Sequence, residues 1–168
     1  DTVIKVSGVS EYNGTDFNEE ITALDGVNAV INGNGGNDVI KSGKGNDKIY
    51  TGAGNDVVYF NSGDGVDTLY KGSGSDTLRF NNFTNLAKLK SGLNATKSGN
   101  DLKLAYTSND SVILKNFFTS GTSVASLSDK DGHKLAFSTF MSGVKFKFSG
   151  NDTASSTING TNYNDVIR

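Results

Sequence analysis

A nine-residue repeat between residues 33 and 79 restricts the possible folds of this chain more than any other feature. Each of its five units has a glycine two residues before an aspartate and an aliphatic residue two residues after it. The units begin at Gly33, Ser42, Thr51, Ser62 and Lys71, and two residues are inserted before the fourth unit. The repeated aspartates are Asp38, Asp47, Asp56, Asp67 and Asp76, and the aliphatic residues are Ile40, Ile49, Val58, Leu69 and Leu78. A period this short predicts an array of stacked units.

Each unit is interpreted as a tight turn followed by a strand of three residues. The pattern x-G-x-G-x-D favours a turn because glycine tolerates positive φ. Three residues cannot form an independent strand, but they point one aliphatic side chain inward and its neighbours outward. Because each unit reverses the chain, consecutive units fall on opposite sheets, and every second unit stacks at about 4.8 Å. The sequence therefore predicts an all-β fold, a right-handed parallel β-roll, with Ile40, Val58 and Leu78 facing Ile49 and Leu69.

The stacked aspartates need a compensating charge. Stacking of alternate units pairs Asp38 with Asp56, Asp47 with Asp67, and Asp56 with Asp76. Bare carboxylates at that spacing repel one another, and five aliphatic side chains are too small a core to hold the array together. A hard divalent cation between the carboxylates, bound also by carbonyl oxygens of the turns, would solve both problems. Calcium accepts such flexible all-oxygen sites more readily than magnesium, so three stacked pairs predict about three or more calcium ions.

These segments resemble the nonapeptide G-G-x-G-x-D-x-U-x of the RTX (repeats-in-toxin) family of secreted bacterial proteins. The sequence departs from that pattern where Asn34 replaces the second glycine and where Ser42, Thr51, Ser62 and Lys71 replace the first. The replaced positions are expected to contribute only carbonyl oxygens. The resemblance implies that the first, third and sixth positions of one turn bind calcium together with the second, fourth and sixth of the next stacked turn. The implied ligands are the carboxylates of Asp38, Asp47, Asp56, Asp67 and Asp76 and the backbone carbonyls of Gly33, Asn34, Gly35, Gly36, Ser42, Gly43, Lys44, Gly45, Thr51, Gly52, Ala53, Gly54, Ser62, Gly63, Asp64, Gly65, Gly72 and Gly74.

The two ends of the chain are interpreted as incomplete repeats. Residues 1–32 form an N-terminal flank, with a strand expected at residues 3–6 and a degenerate repeat at residues 25–31 in which Asn28 holds the aspartate position. Residues 151–168 form a tail that opens a further repeat around Asp165. This second repeat start predicts that the chain is part of a longer protein, and that Asp165 lacks a stacked partner in the present sequence.

Residues 80–150, which follow the roll formed by residues 33–79, are interpreted as a capping region similar to the segment that follows RTX arrays. Apolar residues alternate here in short runs separated by Ser, Gly and Asn, which favours an antiparallel or irregular β cap. Strands are expected at residues 102–106, 112–114, 135–137 and 144–148, and a short helix at residues 86–93. A solenoid needs such a cap to cover its last turn.

Composition excludes several other classes of protein. The chain has no cysteine and one histidine, which excludes a disulfide framework, thiolate metal sites and a multi-histidine zinc centre. A net charge of −2 argues against a nucleic-acid partner. The longest apolar runs fall well short of the roughly 18 residues that span a membrane. Because no nucleophile, base and orienting group occur together, the module is predicted not to be an enzyme.

Two motif interpretations are rejected on spacing. The Gly-x-Gly pairs are followed by aspartate, not by a third glycine and a helix, so a dinucleotide site is not expected. Residues 129–132 hint at an EF-hand, but Leu127 and Ser138 stand where its first and last ligands belong. This segment is therefore interpreted as an ordinary turn.

The resemblance implies a calcium-dependent folding module, exported unfolded by type I secretion machinery and folded by extracellular calcium. The expected location is extracellular or the bacterial cell surface, in an S-layer protein or adhesin, with surface polysaccharide or other copies of the protein as further partners. The alternative is the C-terminal secretion and anchoring module of an exported enzyme or cytolysin, such as a protease, lipase, alginate epimerase or haemolysin. A catalytic motif upstream of Asp1 would favour the enzyme, whereas further repeats there would favour the surface protein.

Overall fold

The structure, a computed structural model, describes residues 4–148 and 165–167. Within them it has sixteen strands and three short helices. The strands are β1 (Ile4–Val9), β2 (Glu11–Asn13), β3 (Glu19–Ala23), β4 (Val30–Asn32), β5 (Val39–Lys41), β6 (Lys48–Tyr50), β7 (Val57–Phe60), β8 (Val66–Tyr70), β9 (Asp76–Phe80), β10 (Asn94–Ser98), β11 (Asp101–Ala105), β12 (Ser111–Leu114), β13 (Val124–Ser128), β14 (Lys134–Ala136), β15 (Phe146–Phe148) and β16 (Asp165–Ile167). The helices are α1 (Leu86–Gly92), α2 (Phe117–Ser120) and α3 (Phe137–Ser142).

Consecutive strands of the repeat lie in different sheets and pair in parallel with the strands of alternate units. The first sheet has the order β1-β3-β5-β7-β9-β13-β14, and the second has the order β10-β11-β12-β8-β6-β4-β2. Ile40 lies beside Val58 and Val58 beside Leu78 in the first sheet, and Ile49 lies beside Leu69 in the second. The prediction of a parallel β-roll is confirmed.

The core of the roll is a column of aliphatic side chains on the inner face of each sheet. Ile40, Ile49, Val58 and Leu78 are completely buried, and Leu69 is nearly so. This burial follows from the strand geometry, because the middle residue of a three-residue strand points to the opposite side from its two neighbours. The inward orientation predicted for the five repeated aliphatic residues is therefore confirmed.

Two further units extend the roll toward the N-terminus. Residues 14–22 and 24–32 each end in a strand that continues one sheet, because β3 pairs in parallel with β5 and β4 with β6. Ile21 and Ile31 continue the buried columns and are both inaccessible to solvent. The flank therefore stacks on the repeat region, with one additional residue between its two units.

The position assigned to Asn28 is wrong by one residue. Ile31 pairs with Ile49 and is buried, whereas Val30 is 38% exposed, so the residue two places before the inward side chain is Ala29. The carboxamide of Asn28 instead accepts a hydrogen bond from the N–H of Asn46. The choice of Ile31 as the inward residue sets this register, and it leaves the degenerate unit without a carboxylate in the aspartate position.

The cap first adds one parallel strand to each sheet, and the strands that follow pair antiparallel. β12 pairs in parallel with β8, and β13 pairs in parallel with β9, so each sheet gains one strand beyond the last repeat. β11 and β10 then add antiparallel strands to the second sheet, and β14 adds one to the first. The aromatic rings of Phe60, Phe80 and Tyr106 pack together at this junction, with centroids 5.2 to 5.8 Å apart.

Most of the predicted cap elements form, with one correction. The expected strand at residues 135–137 ends at Ala136, because Phe137 begins α3. Phe137, Phe140 and Met141 share the buried face of that helix at helical spacing, so burial of three large side chains outweighs continuation of the strand. The expected short helix is present as α1, whose N-cap Asn85 accepts a hydrogen bond from the N–H of Lys88.

Close approach of stacked turns makes one glycine harder to replace than another. Gly54 and Gly63 both have positive φ, +136° and +94°, which costs an L-residue about 1–2 kcal/mol. A Cβ on Gly54 would lie 1.7 Å from the carbonyl oxygen of Gly36, whereas a Cβ on Gly63 would meet nothing within 4 Å. We therefore expect Gly54→Ala to lower the free energy of unfolding clearly more than Gly63→Ala. Urea unfolding of both variants in one buffer tests this, and equal losses would contradict the observed turn spacing.

Candidate metal centre

The repeated aspartates form two columns, one beside each sheet. The first column contains Asp38, Asp56 and Asp76, and the second contains Asp47 and Asp67. Each aspartate position of a column is called a rung here, and a rung later in the sequence lies above an earlier one. The backbone N–H of each aspartate donates a hydrogen bond to Oδ1 of the aspartate on the next rung. The distances are 2.8 Å from Asp38 to Asp56, 3.1 Å from Asp56 to Asp76 and 3.0 Å from Asp47 to Asp67. The structure thus brings together the three pairs that the repeat period predicts.

The five aspartates are buried without a cationic partner. None is more than 1% exposed, and within the described residues none forms an ion pair with a Lys, Arg or His side chain. Burial of an uncompensated carboxylate is unfavourable by several kcal/mol. The columns are therefore places where a cation would be strongly favoured.

The second carboxylate oxygens show where such a cation fits. The Oδ2 atoms of Asp38, Asp47 and Asp56 are buried and accept no hydrogen bond. Asp76 Oδ2 accepts a hydrogen bond from the hydroxyl of Thr51 at 3.1 Å, and Asp67 Oδ2 lies 3.5 Å from the hydroxyl of Ser42. Because buried acceptors are almost always partnered, these three oxygens are suited to bind a cation.

Ser42 and Thr51 do more than the sequence suggests. Both replace the first glycine of the repeat and were expected to contribute only a carbonyl oxygen, but their buried hydroxyls also contact carboxylates two units away. The expectation concerned ligands of the cation and stays a prediction; the hydroxyl contacts are a further interaction that the repeat pattern did not indicate. Their hydroxyl groups fit the space beside a carboxylate that glycine leaves open in other units.

Main-chain oxygens face the same spaces. A Cβ on Gly33 would lie 2.5 Å from Asp38 Oδ2 and 2.3 Å from the carbonyl oxygen of Thr51. The absence of a side chain at this first position of the turn therefore leaves a cradle bordered by a carboxylate and a carbonyl. A Cβ on Gly54 would lie 1.7 Å from the carbonyl oxygen of Gly36, and a Cβ on Gly74 would lie 1.9 Å from that of Gly54.

Some of the predicted carbonyl ligands also accept hydrogen bonds between turns. The carbonyls of Asn34, Gly52, Lys44 and Asp64 accept backbone N–H groups of stacked turns at 2.6 to 2.8 Å, and that of Gly65 accepts the N–H of Ser111 at 2.9 Å. A carbonyl oxygen has two lone pairs, so each keeps one for a cation. No inter-turn backbone hydrogen bond of this kind is found in the described residues for the carbonyls of Gly33, Gly35, Gly36, Ser42, Gly43, Gly45, Thr51, Ala53, Gly54, Ser62, Gly63, Gly72 and Gly74.

Side chains alone do not make a complete metal site. In the described part of the chain, no three His, Cys, Asp or Glu side chains meet in an arrangement that could hold a metal ion. A cation in either column must therefore take most of its ligands from the main chain, with carboxylates from two stacked turns. Such a set consists only of oxygen atoms, which is the preference of calcium.

Burial raises the pKa values of the column carboxyls. The pKa of Asp38 rises to about 6, that of Asp56 to about 7 and that of Asp67 to about 8, in each case chiefly because burial disfavours the charged form. The charges of Asp76 and Asp38 raise the pKa of Asp56 further, while the hydrogen bond from a backbone N–H opposes the shift. Without a cation, the folded columns thus favour the protonated carboxyl groups.

The repeat pattern missed one acidic residue that the structure places in the first column. Glu19 is completely buried, and its N–H donates to Asp38 Oδ1 at 2.9 Å, as Asp38 donates to Asp56. Its Oε2 atom accepts no hydrogen bond. Gly14, Asn18 and Ile21 stand around it at the spacing of the repeat and were the signal that could have revealed it.

Asp64 and Asp110 are further acidic residues near the turns, but both are satisfied by the protein. Asp64 Oδ2 accepts the N–H of Asn61 at 2.7 Å. The two oxygens of Asp110 accept the N–H groups of Gly63 and Gly65 at 2.9 and 3.0 Å. Asp110 belongs to the cap, and its carboxylate thus satisfies two backbone N–H groups in the turn of the fourth repeat.

A parallel roll whose turns carry columns of buried carboxylates defines a cation-binding solenoid. Comparison with protein families identifies the repeat: residues 32–66 and 59–78 match the RTX calcium-binding nonapeptide repeat (4 copies). Residues 32–78 therefore carry the RTX calcium-binding repeat, and the parallel strands of this segment agree with a β-roll. No curated protein matches the chain.

The helices of the described residues give no sign of a membrane span. None of them is both long enough and apolar enough to cross a bilayer.

The raised pKa values predict that acid stabilises the roll when no cation is bound. A carboxyl whose pKa is higher in the folded state than its ordinary 3.8 contributes stability that is present below that value and lost as the pH rises through the folded pKa. Between pH of about 4 and about 8, the free energy of unfolding of metal-stripped protein should therefore fall. Circular dichroism melts in metal-free buffers test this. A stability that rises with pH over this range would show that the columns are not folded as described.

Proposed function

We propose that the roll is a calcium-dependent folding module, in which the ions bind between stacked turns and complete the fold. The observation that carries this proposal is the set of buried, unpartnered Oδ2 atoms of Asp38, Asp47 and Asp56. Calcium would supply the positive charge and the flexible oxygen coordination that these atoms lack. Because the carboxylates come from different turns, ion binding and stacking of the turns are the same event.

The proposed ligands follow the stacked pairs. Asp38 with Asp56, Asp56 with Asp76, and Asp47 with Asp67 would each serve one ion, together with turn carbonyls such as those of Gly33 and Thr51. This assignment gives three ions in the matched repeats. Asp56 has a special place in it, because it belongs to two of the three pairs.

The same physics supports a role in export. At low calcium the column carboxylates repel one another and are costly to bury, so the chain favours an unfolded state that a type I secretion channel could carry. Outside the cell, calcium would remove the repulsion and favour the folded state by mass action. On this proposal the module is extracellular, and calcium acts as the signal that export is complete.

We further propose that the parent is a large surface protein, such as an S-layer protein or adhesin. Support comes from the sequence around Asp165, which resembles the first unit of a further repeat, and from β16 at that place, which pairs in parallel with β15. A further array after the cap would favour an extended, repetitive molecule over a single terminal module.

The folding proposal is tested by titrating metal-stripped protein with calcium and, separately, with magnesium. At a pH above about 8, where the column carboxyls are ionised, we expect weak β-sheet circular dichroism in chelator, a cooperative gain on addition of calcium, and a calorimetric stoichiometry of about three or more ions. Magnesium should be much less effective, because it demands a stricter octahedral geometry. Full folding in chelator, or equal folding by magnesium, would contradict the proposal.

The pairing of ligands is tested by comparing Asp56→Asn with Asp47→Asn. Asp56 has carboxylate neighbours on both sides, whereas Asp47 has Asp67 above it and Ala29 below. Both variants keep an oxygen that can accept the backbone hydrogen bond. We therefore expect Asp56→Asn to lose two ions and Asp47→Asn to lose one, measured by native mass spectrometry. An equal loss from the two variants would show that the assignment of shared ligands is wrong.

A further inference from the structure

The first column continues beyond the matched repeats into a turn formed by residues 14–19. β3 pairs in register with β5, so Glu20 lies beside Val39 and Ile21 beside Ile40. This register puts Glu19 in the position that Asp38 occupies one rung above. The N–H of Glu19 donates to Asp38 Oδ1 at 2.9 Å, which repeats the hydrogen bond between the aspartates of the later rungs.

Hydrogen bonds orient the carboxylate of Glu19 through one of its two oxygens only. Its Oε1 atom accepts hydrogen bonds from the backbone N–H of Thr15 at 2.9 Å and from the Thr15 hydroxyl at 2.5 Å. Its Oε2 atom is buried and has no hydrogen-bond partner, and the same is true of Asp38 Oδ2 on the next rung. Two adjacent rungs thus each present a buried oxygen that accepts no hydrogen bond of normal geometry, although the Tyr12 side chain lies close enough to the Glu19 carboxylate to interact with it.

The turn below these oxygens is built on the same plan as the turns of the repeats. A Cβ on Gly14 would lie 2.5 Å from Glu19 Oε2 and 2.3 Å from the carbonyl oxygen of Gly33. The corresponding distances for Gly33 are 2.5 Å to Asp38 Oδ2 and 2.3 Å to the carbonyl oxygen of Thr51. Glutamate is one methylene longer than aspartate, but Glu19 Oε2 lies beside the Gly33 carbonyl as Asp38 Oδ2 lies beside the Thr51 carbonyl.

The second column shows that stacking alone does not require an acid here. Ala29 occupies the matching position there, and its N–H donates to Asp47 Oδ1 at 2.6 Å without any carboxylate of its own. The strand β4 that follows Ala29 still pairs in register with β6. The buried charge of Glu19 is thus an added cost that stacking does not explain, and a bound cation would offset it.

We propose that Glu19 and Asp38, with the carbonyl of Gly33, form a further divalent-cation site at the N-terminal end of the roll. Its donors are all oxygen atoms, so it takes a hard cation of the calcium type. This inference rests on the proposed function for the identity of the ion. It adds an ion outside residues 32–78 and makes Asp38, like Asp56, a carboxylate shared by two rungs.

The site is tested with Glu19→Gln and the matched control Glu20→Gln. Both substitutions remove one negative charge from the same strand, but Glu20 is half-buried and pairs with Lys5 and Lys41 at 3.4 and 2.9 Å. Native mass spectrometry and calorimetry in calcium should show one bound ion fewer in Glu19→Gln and the wild-type number in Glu20→Gln. An unchanged number in Glu19→Gln, or an equal loss in both variants, overturns the site.

A second variant keeps the test decisive if Glu19→Gln folds poorly. Thr15→Val removes the hydroxyl that orients Glu19 but leaves both carboxylates in place. We expect it to weaken the affinity of one ion severalfold while the other ions bind as in the wild type; unchanged affinities would count against the site. If the wild type itself binds no calcium, the proposed function fails. If it binds calcium and neither variant alters that binding, only the Glu19 site fails.

Discussion

The roll depends on one recurring hydrogen bond, in which the backbone N–H at the aspartate position donates to the carboxylate of the next rung. This bond fixes the distance and register between turns, because it joins the same position of alternate units at 2.8 to 3.1 Å. The bond also gives the two oxygens of each carboxylate different roles. One oxygen accepts the N–H of the turn below, and the other faces the space between turns. Folding and the proposed ion binding therefore use the same side chains but different oxygen atoms of each carboxylate.

The repeat region could be predicted from sequence because its period leaves few physical solutions. A three-residue strand can bury only its middle side chain, so the inward positions of Ile40, Ile49 and Val58 follow directly from the spacing. The same spacing brings Asp38 and Asp56 to adjacent rungs. In this region each local choice agrees with the global stack, which is the condition under which a pattern specifies a structure.

Outside the repeats, side-chain size and tertiary packing determine which residues point inward and where strands end, and the repeat pattern does not specify either. The larger Ile31 takes the inward position over Val30, which moves the aspartate position from Asn28 to Ala29. Glu19 does not match the repeat pattern, because Phe17 stands where the repeat has glycine and glutamate stands in place of aspartate. Phe137 reads as part of a strand, but helical spacing lets it share a buried face with Phe140 and Met141. Only the Glu19 position leaves a trace in the local pattern, through Gly14, Asn18 and Ile21; the other two outcomes depend on packing.

The unequal length of the two columns has a consequence for how the roll would sense its surroundings. The first column runs without interruption through Glu19, Asp38, Asp56 and Asp76, whereas the second contains one pair above Ala29. Ligands shared between neighbouring rungs couple those rungs, so occupancy of one prepares the next. On the proposed ligand assignment, the first column would respond to calcium in a steep, threshold-like way and the second in a graded way.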